Sequence, residues 1–171
     1  AIANAIKIPV ILYNVPSRTG MSFAIDTLKE LAKVENIVAI KEASGNISYM
    51  AKVAAEVPDL YIYSGNDDQI VPIMSLGGKG VISVLANCLP AETHEIASYC
   101  LEGDYKKAAE LQLKLLEFTN DLFIDVNPIP VKEALNIMGK NVGECRLPLI
   151  RMEDAKIAKL FSSMEKLGLT K

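Results

Sequence analysis

Lys41 is the residue around which chemistry can be built. It follows an apolar run, Ile37-Val38-Ala39-Ile40, so its amine stands at the end of a strand that seeks a core. Desolvation at such a place favours the neutral amine over the ammonium. A neutral amine can attack a ketone and form a Schiff base. The other reading is a lysine whose stem lies along apolar surface while its head reaches water. Tyr13 ends a second apolar run, Pro9 to Tyr13. Its hydroxyl can relay protons to and from a substrate held at the lysine, or it can belong to a core tyrosine with a satisfied hydroxyl. Arg18 follows in Pro16-Ser17-Arg18-Thr19-Gly20. There a guanidinium can hold a carboxylate through two parallel hydrogen bonds, or it can simply face solvent.

Other patterns point less far. Ser64-Gly65-Asn66-Asp67-Asp68 reads as a ligand loop. Its two aspartates can bind a metal, but Asn66 or Asp67 can equally cap the helix that follows. Gly77-Gly78-Lys79-Gly80 lacks the GK[ST] ending of a phosphate loop and precedes a strand, so it fails that mechanism. His94 falls in a helical segment with no Cys, His or nucleophile pattern near it. Cys88, Cys100 and Cys145 are widely spaced, odd in number and without a CxxC pair. They read as reduced, intracellular thiols used for packing.

Composition sets outer limits. Of 171 residues, 18 are Lys or Arg and 21 Asp or Glu, a net charge of −3 that leaves no electrostatic footprint for nucleic acid. Half the residues are apolar, as in ordinary globular chains. No uncharged apolar run approaches the roughly 20 residues that span a bilayer, and no basic segment with a cleavage site opens the chain. The expectation is a cytoplasmic protein without membrane or nucleic-acid partners. The chain opens without Met, and a few helix-forming residues lead straight into a buried strand. It therefore reads as a fragment.

The elements that must position these residues repeat a rhythm. Pro9–Tyr13, Ile37–Ile40, Leu60–Tyr63 and Gly80–Val84 are continuous apolar runs, the mark of strands buried on both faces in a parallel sheet. Segments of helical period separate and follow them: Ser22–Val34, Asn46–Val57, Asp67–Leu76 and Ala91–Leu101. Four consecutive βα units result. Beyond Gly103 the strand signals stop. A long helix from Asp104 to about Phe123, a short one over Val131–Met138 after the Asn127-Pro128-Ile129-Pro130 break, and a last one over Met152–Leu167 form an all-helical appendage.

Four parallel strands fit either an open doubly wound sheet or part of a closed barrel. No GxGxxG turn follows a strand. Polar residues recur at successive strand ends, Tyr13-Asn14, Lys41-Glu42, Ser64-Gly65-Asn66 and Ser83, and in (β/α)8 barrels that rim holds the chemistry. The expected fold class is α/β of the (β/α)8 TIM-barrel type, with half the strands of a full barrel. Residues 1–103 would form the half-barrel and residues 104–171 the helical domain.

Taken together the motifs are more specific. Tyr13-Asn14-Val15-Pro16-Ser17-Arg18-Thr19-Gly20, Ile40-Lys41-Glu42-Ala43-Ser44-Gly45, Ser64-Gly65-Asn66-Asp67, Gly77-Gly78-Lys79-Gly80-Val81-Ile82-Ser83-Val84 and Asn127-Pro128-Ile129-Pro130-Val131-Lys132 occur in that order. This pattern resembles the dihydrodipicolinate synthase family, within the pyruvate-dependent class I aldolases that include N-acetylneuraminate lyase. The resemblance covers essentially the whole chain and matches barrel strands five to eight plus the C-terminal helical domain.

The resemblance implies that Lys41 forms an imine with pyruvate and that Tyr13 relays protons. It implies that Arg18 binds the carboxylate of aspartate semialdehyde and that Gly65 and Asn66 line the second-substrate side. The family often has Asp where Asn66 stands. Ile82 would sit beside the lysine. No metal or organic cofactor is implied, and the assembly implied is a homotetramer. Neuraminate lyases usually lack the Ser-Arg-Thr-Gly arrangement, and they supply the alternative enzyme reading. The family's paired threonines and second relay tyrosine lie in the other half of the barrel, so a non-catalytic half-barrel that needs its N-terminal half is the alternative outside enzymology.

Overall fold

The structure is a computed structural model and describes residues 1–170. The chain divides into two compact units, Ala1–Ser83 with Ala97–Tyr105, and Val84–Ile96 with the segment from Lys106 onward.

The first unit is built on one parallel sheet of four strands, β1 (Val10–Asn14), β2 (Ile37–Glu42), β3 (Tyr61–Ser64) and β4 (Gly80–Val81), in the order β1-β2-β3-β4. Each strand pairs with its successor in sequence. A doubly wound sheet reverses direction at a switch point. Here the order only advances, as around a barrel. The helices between strands are α1 (Pro16–Thr19), α2 (Ile25–Leu31), α3 (Ile47–Glu56) and α4 (Ile70–Ser75). Asn46 caps α3, its side-chain oxygen accepting from the Tyr49 N–H at 3.0 Å.

One face of the sheet packs against these helices. Ile37, Ile40 and Ile62 are buried there with Leu28 of α2, Met50 and Val53 of α3, and Ile73 of α4. Burying such side chains is worth about 1.5–3 kcal/mol each. A register irregularity between Val10/Ile11 and Ile37/Ala39 leaves Val38 as an extra residue in β2. That bulge lets Ile37 and Ile40, three positions apart, both reach the helix side. The opposite face is open: Ile11, Tyr13 and Tyr61 are each about half exposed (47%, 49% and 55%).

Pro16–Thr19 is the short helix α1. Pro16 stands in its first turn, and Gly20, with φ 71°, closes it by donating to the Pro16 carbonyl at 2.9 Å. The fourth strand is shorter than its apolar run suggests: it ends at Val81, and a 3-10 turn follows at Leu85–Asn87. Gly77 and Gly78 end α4: their N–H groups bond the carbonyls of Met74 and Ile73 at 3.0 and 3.2 Å. This is the Schellman arrangement, and it gives the Gly-rich stretch a structural purpose.

The second unit is helical. It holds α6 (Tyr105–Lys114, its first residue assigned to the first unit), α7 (Leu116–Asp121), α8 (Ile129–Ile137) and α9 (Asp154–Lys166). The residues of α5 (Pro90–Leu101) are divided between the two units. The single long helix expected over 104–123 is interrupted at Leu115, whose φ −92° and ψ −4° depart from the helical values. Phe118, Leu122, Val131, Ala134, Leu160 and Met164 are among its buried apolar residues, and Lys166–Glu117 (2.6 Å) and Lys159–Asp121 (3.2 Å) link α9 to α7. Among the described residues no helix is long and apolar enough to cross a membrane.

Candidate active site

Lys41 is the fifth residue of β2, and its register partners are Tyr13 on β1 and Tyr63 on β3. Side chains alternate across a strand. Ile40 is fixed in the helix-side core, so Lys41 belongs to the open face together with Tyr13 and Tyr63. Lys41 Nζ lies 4.4 Å from the centroid of the Tyr13 ring, within cation–π range. The lysine is half-buried and Tyr13 half-exposed. The ring shown beside the Lys41 amine is that of Tyr13.

The other expected site residues gather along the same rim. The Gly65 N–H donates to the Glu42 carbonyl at 2.7 Å. A Cβ on Gly65 would stand 2.7 Å from Ala43 Cβ and 2.9 Å from the Glu42 carbonyl oxygen. Only glycine therefore lets the end of β3 lie this close to the end of β2. Asn66 is half-buried beside the turn at Gly45, and Gln69 Nε2 donates to the Gly45 carbonyl at 3.2 Å. Asn66 does not cap the helical turn after it. Instead Ser64 Oγ donates to the Asn66 carbonyl at 2.6 Å.

Ile82 continues the ladder beyond β4, its N–H bonding the Ser64 carbonyl at 2.9 Å, and its side chain is 39% exposed. Arg18 is exposed in the last turn of α1, on the segment that leaves the end of β1, so the rim and not the sheet carries it. Asp67 and Asp68 do not form a metal cluster, and no group of three or more His, Cys, Asp or Glu side chains among the described residues could hold a metal ion.

Behind Lys41 lie residues that the sequence reading counted with the polar rim and gave no role of their own. Asn14, Glu42 and Ser64 are the next rung of the register and face the helices, all three buried. Asn14 Nδ2 donates to Glu42 Oε1 at 2.7 Å, and the Ser44 N–H donates to the same oxygen at 3.0 Å. The available signal was the alternation itself: if Lys41 faces the open side, Glu42 must face the helices.

A cavity of about 110 Å3 beside this rim is lined by Tyr13, Asn14, Val15, Thr19, Met21, Ser22 and Phe23. A larger one, about 450 Å3, lies wholly within the second unit, between α8 and the segment 143–151, and contains none of these residues.

The fold and this rim define a class: an α/β protein of the TIM-barrel type with a lysine at a strand's carboxyl end. Comparison with known proteins narrows it. Residues 1–167 match the dihydrodipicolinate synthetase family, and the chain belongs to that family. It is 63% identical over 153 residues to the 4-hydroxy-tetrahydrodipicolinate synthase of Caldicellulosiruptor bescii, covering 90% of this chain and 52% of that protein. The Clostridium perfringens enzyme of the same name is 55% identical over 172 residues, covering 100% and 59%. The dihydrodipicolinate synthase of Acinetobacter baumannii, solved in complex with pyruvate, superposes with a TM-score of 0.93 at 37% identity over 98% of this chain and 58% of that one. The chain thus spans between half and three-fifths of the length of these relatives.

Proposed function

We propose that the chain carries the imine-forming site of a 4-hydroxy-tetrahydrodipicolinate synthase, a lyase of the class I aldolase type in lysine and diaminopimelate biosynthesis. The observation that carries this reading is the placement of Lys41 at the carboxyl end of β2, with its amine against the Tyr13 ring. Family membership and the pyruvate complex of the Acinetobacter relative support it.

In this reading the Lys41 amine attacks the ketone carbon of pyruvate, and the carbinolamine loses water to leave an imine. Tyr13 relays the proton with which the carbinolamine hydroxyl leaves as water, and then the methyl proton that departs to give the enamine. The enamine carbon then bonds to the aldehyde carbon of aspartate semialdehyde, whose oxygen takes up a proton. The amino group of that substrate next attacks the imine carbon and expels the Lys41 amine, closing the ring. The protonated imine is the electron sink, so the scheme calls on no cofactor. Arg18 holds the semialdehyde carboxylate, Gly65 and Asn66 line its side of the site, and Ile82 flanks the lysine.

In the same reading residues 1–103 supply the second half of the barrel, strands five to eight, and residues 104–171 supply the helical domain. The working form is a cytoplasmic homotetramer.

Borohydride reduction in the presence of pyruvate, followed by peptide mapping, tests the proposal. One adduct, on Lys41, is expected. An adduct on a different lysine overturns the reading. So does the absence of any adduct both in this chain alone and after addition of the N-terminal segment of a full-length relative.

A further inference from the structure

The Lys41–Tyr13 rung has a reverse side that the chemistry above does not use. Asn14 and Glu42 are the last residues of β1 and β2. They pair in register one step beyond Tyr13 and Lys41, and their side chains meet on the helix side at 2.7 Å. Glu42 is fully buried and Asn14 2% exposed.

The ties do not stop at the pair. Asn14 Nδ2 also donates to Ser22 Oγ at 2.9 Å, and Asn14 Oδ1 accepts from the Phe23 N–H at 3.2 Å. The segment that returns from α1, the carrier of Arg18, is therefore fastened to the same amide. Glu42 Oε1 takes the Ser44 N–H at 3.0 Å and so holds the turn after Lys41. Two backbone bonds complete the knot, Ala43 N–H to the Asn14 carbonyl (2.9 Å) and Gly65 N–H to the Glu42 carbonyl (2.7 Å).

Glu42 is an expensive way to make these contacts. Its Oε2 is buried and has no hydrogen-bond partner. A buried, half-satisfied carboxylate opposes folding, so its presence at this place calls for an explanation. Strand ends fray unless something beyond the ladder holds them. A displacement of about 1 Å between reacting groups is enough to slow a reaction roughly 100-fold.

We infer that Asn14 and Glu42 are positioning residues which, from the helix side of the sheet, set the placement of Lys41 against Tyr13 and anchor the segment bearing Arg18. They touch no substrate. The inference rests on the proposed role of Lys41, and its test separates the two.

Three variants of the chain are compared with the parent: Asn14→Asp, which sets carboxylate against carboxylate; Glu42→Gln, which keeps shape and an acceptor for Ser44; and the exchange N14D/E42Q, which restores one amide facing one carboxylate. Circular dichroism checks folding. Reductive methylation with formaldehyde, mapped by mass and followed against pH, reads the surroundings of the Lys41 amine without needing a pyruvate pocket. Borohydride trapping with pyruvate reads the imine.

Asn14→Asp is expected to shift the pH profile of Lys41 methylation and to slow trapping at least tenfold. Glu42→Gln is expected to shift it less, and the exchange is expected to recover the parent's profile and rate to within about threefold. If Asn14→Asp does not fold, Glu42→Gln and the exchange still decide. Folded single variants with the parent's methylation profile overturn the inference, and so does an exchange that folds without restoring it. A parent methylated at Lys41 that never forms a pyruvate imine overturns the imine reading instead, while the methylation profiles still judge the pair.

Discussion

Lys41 Nζ stands 4.4 Å from the centre of the Tyr13 ring, on two neighbouring strands and at the same register level. The contact joins the two residues that the proposed chemistry needs most, a nucleophilic amine and a proton relay. It also makes their contributions separable, because the ring and the hydroxyl can be removed one at a time.

Tyr13→Phe keeps the ring over the amine and deletes only the hydroxyl. Tyr13 is half exposed, so stability is expected to change by less than about 0.5 kcal/mol. Loss of a proton relay is expected to slow pyruvate-imine trapping roughly 100-fold. Stopped-time borohydride quenching would measure this, and a rate equal to the parent's would remove Tyr13 from the relay.

Gly65→Ala tests the close approach of β3 to β2. The new methyl would sit 2.7 Å from Ala43 Cβ and 2.9 Å from the Glu42 carbonyl oxygen, and neither is the flexible end of a long side chain. The strand ends must separate, at a cost of about 1–3 kcal/mol. Tm is expected to fall by roughly 3–10 °C, and calorimetry checks it. An unchanged Tm would show that the rim yields freely at this point.

The thiols give a pH prediction. Burial pushes Cys88 up to about 11 and also raises Cys100, while Cys145 is only half-buried. Thiol reagents attack the thiolate, so Cys145 is expected to react first and Cys88 last in the folded chain. The unfolded chain loses the Cys88 proton near an ordinary thiol value of about 8.5, and the folded chain holds it to about 11. Between those values the folded state binds more protons. Stability from this group is therefore complete below about pH 8.5 and is lost as pH rises towards 11, by roughly 3 kcal/mol in all. Urea unfolding at pH 7 and pH 10.5 should show a smaller loss for Cys88→Ala than for the parent; equal losses would count against it.

Much of this arrangement was legible in the sequence. The four apolar runs gave strand positions to within a residue or two at three of four places, although the expected burial on both faces is not met: only the helix side is packed, and Ile11, Tyr13 and Tyr61 stand half exposed on the other. Lys41 and Tyr13 stood out because each ends such a run. What periodicity could not reveal were features shorter than a period or set by a neighbour. The helix Pro16–Thr19 is barely one turn long. The fourth strand keeps only two residues of its five-residue apolar run. The break at Leu115 interrupts a stripe that runs on without interruption in sequence. The Asn14–Glu42 pair was hidden for another reason: two polar residues at strand ends look like rim residues until the register shows that they point inward.

The β1-β2-β3-β4 order has a consequence for how the sheet comes apart. Only β2 and β3 have a neighbour on both sides, whereas β1 and β4 are each held along one edge, and β4 offers just two residues to its partner. Loosening therefore begins at the margins and moves inward one strand at a time. The amides of Lys79 and Ile82, bonded to β3 at that thin margin, are released early. Those of the two inner strands, β2 and β3, outlast them, and Lys41 stands on one of the two.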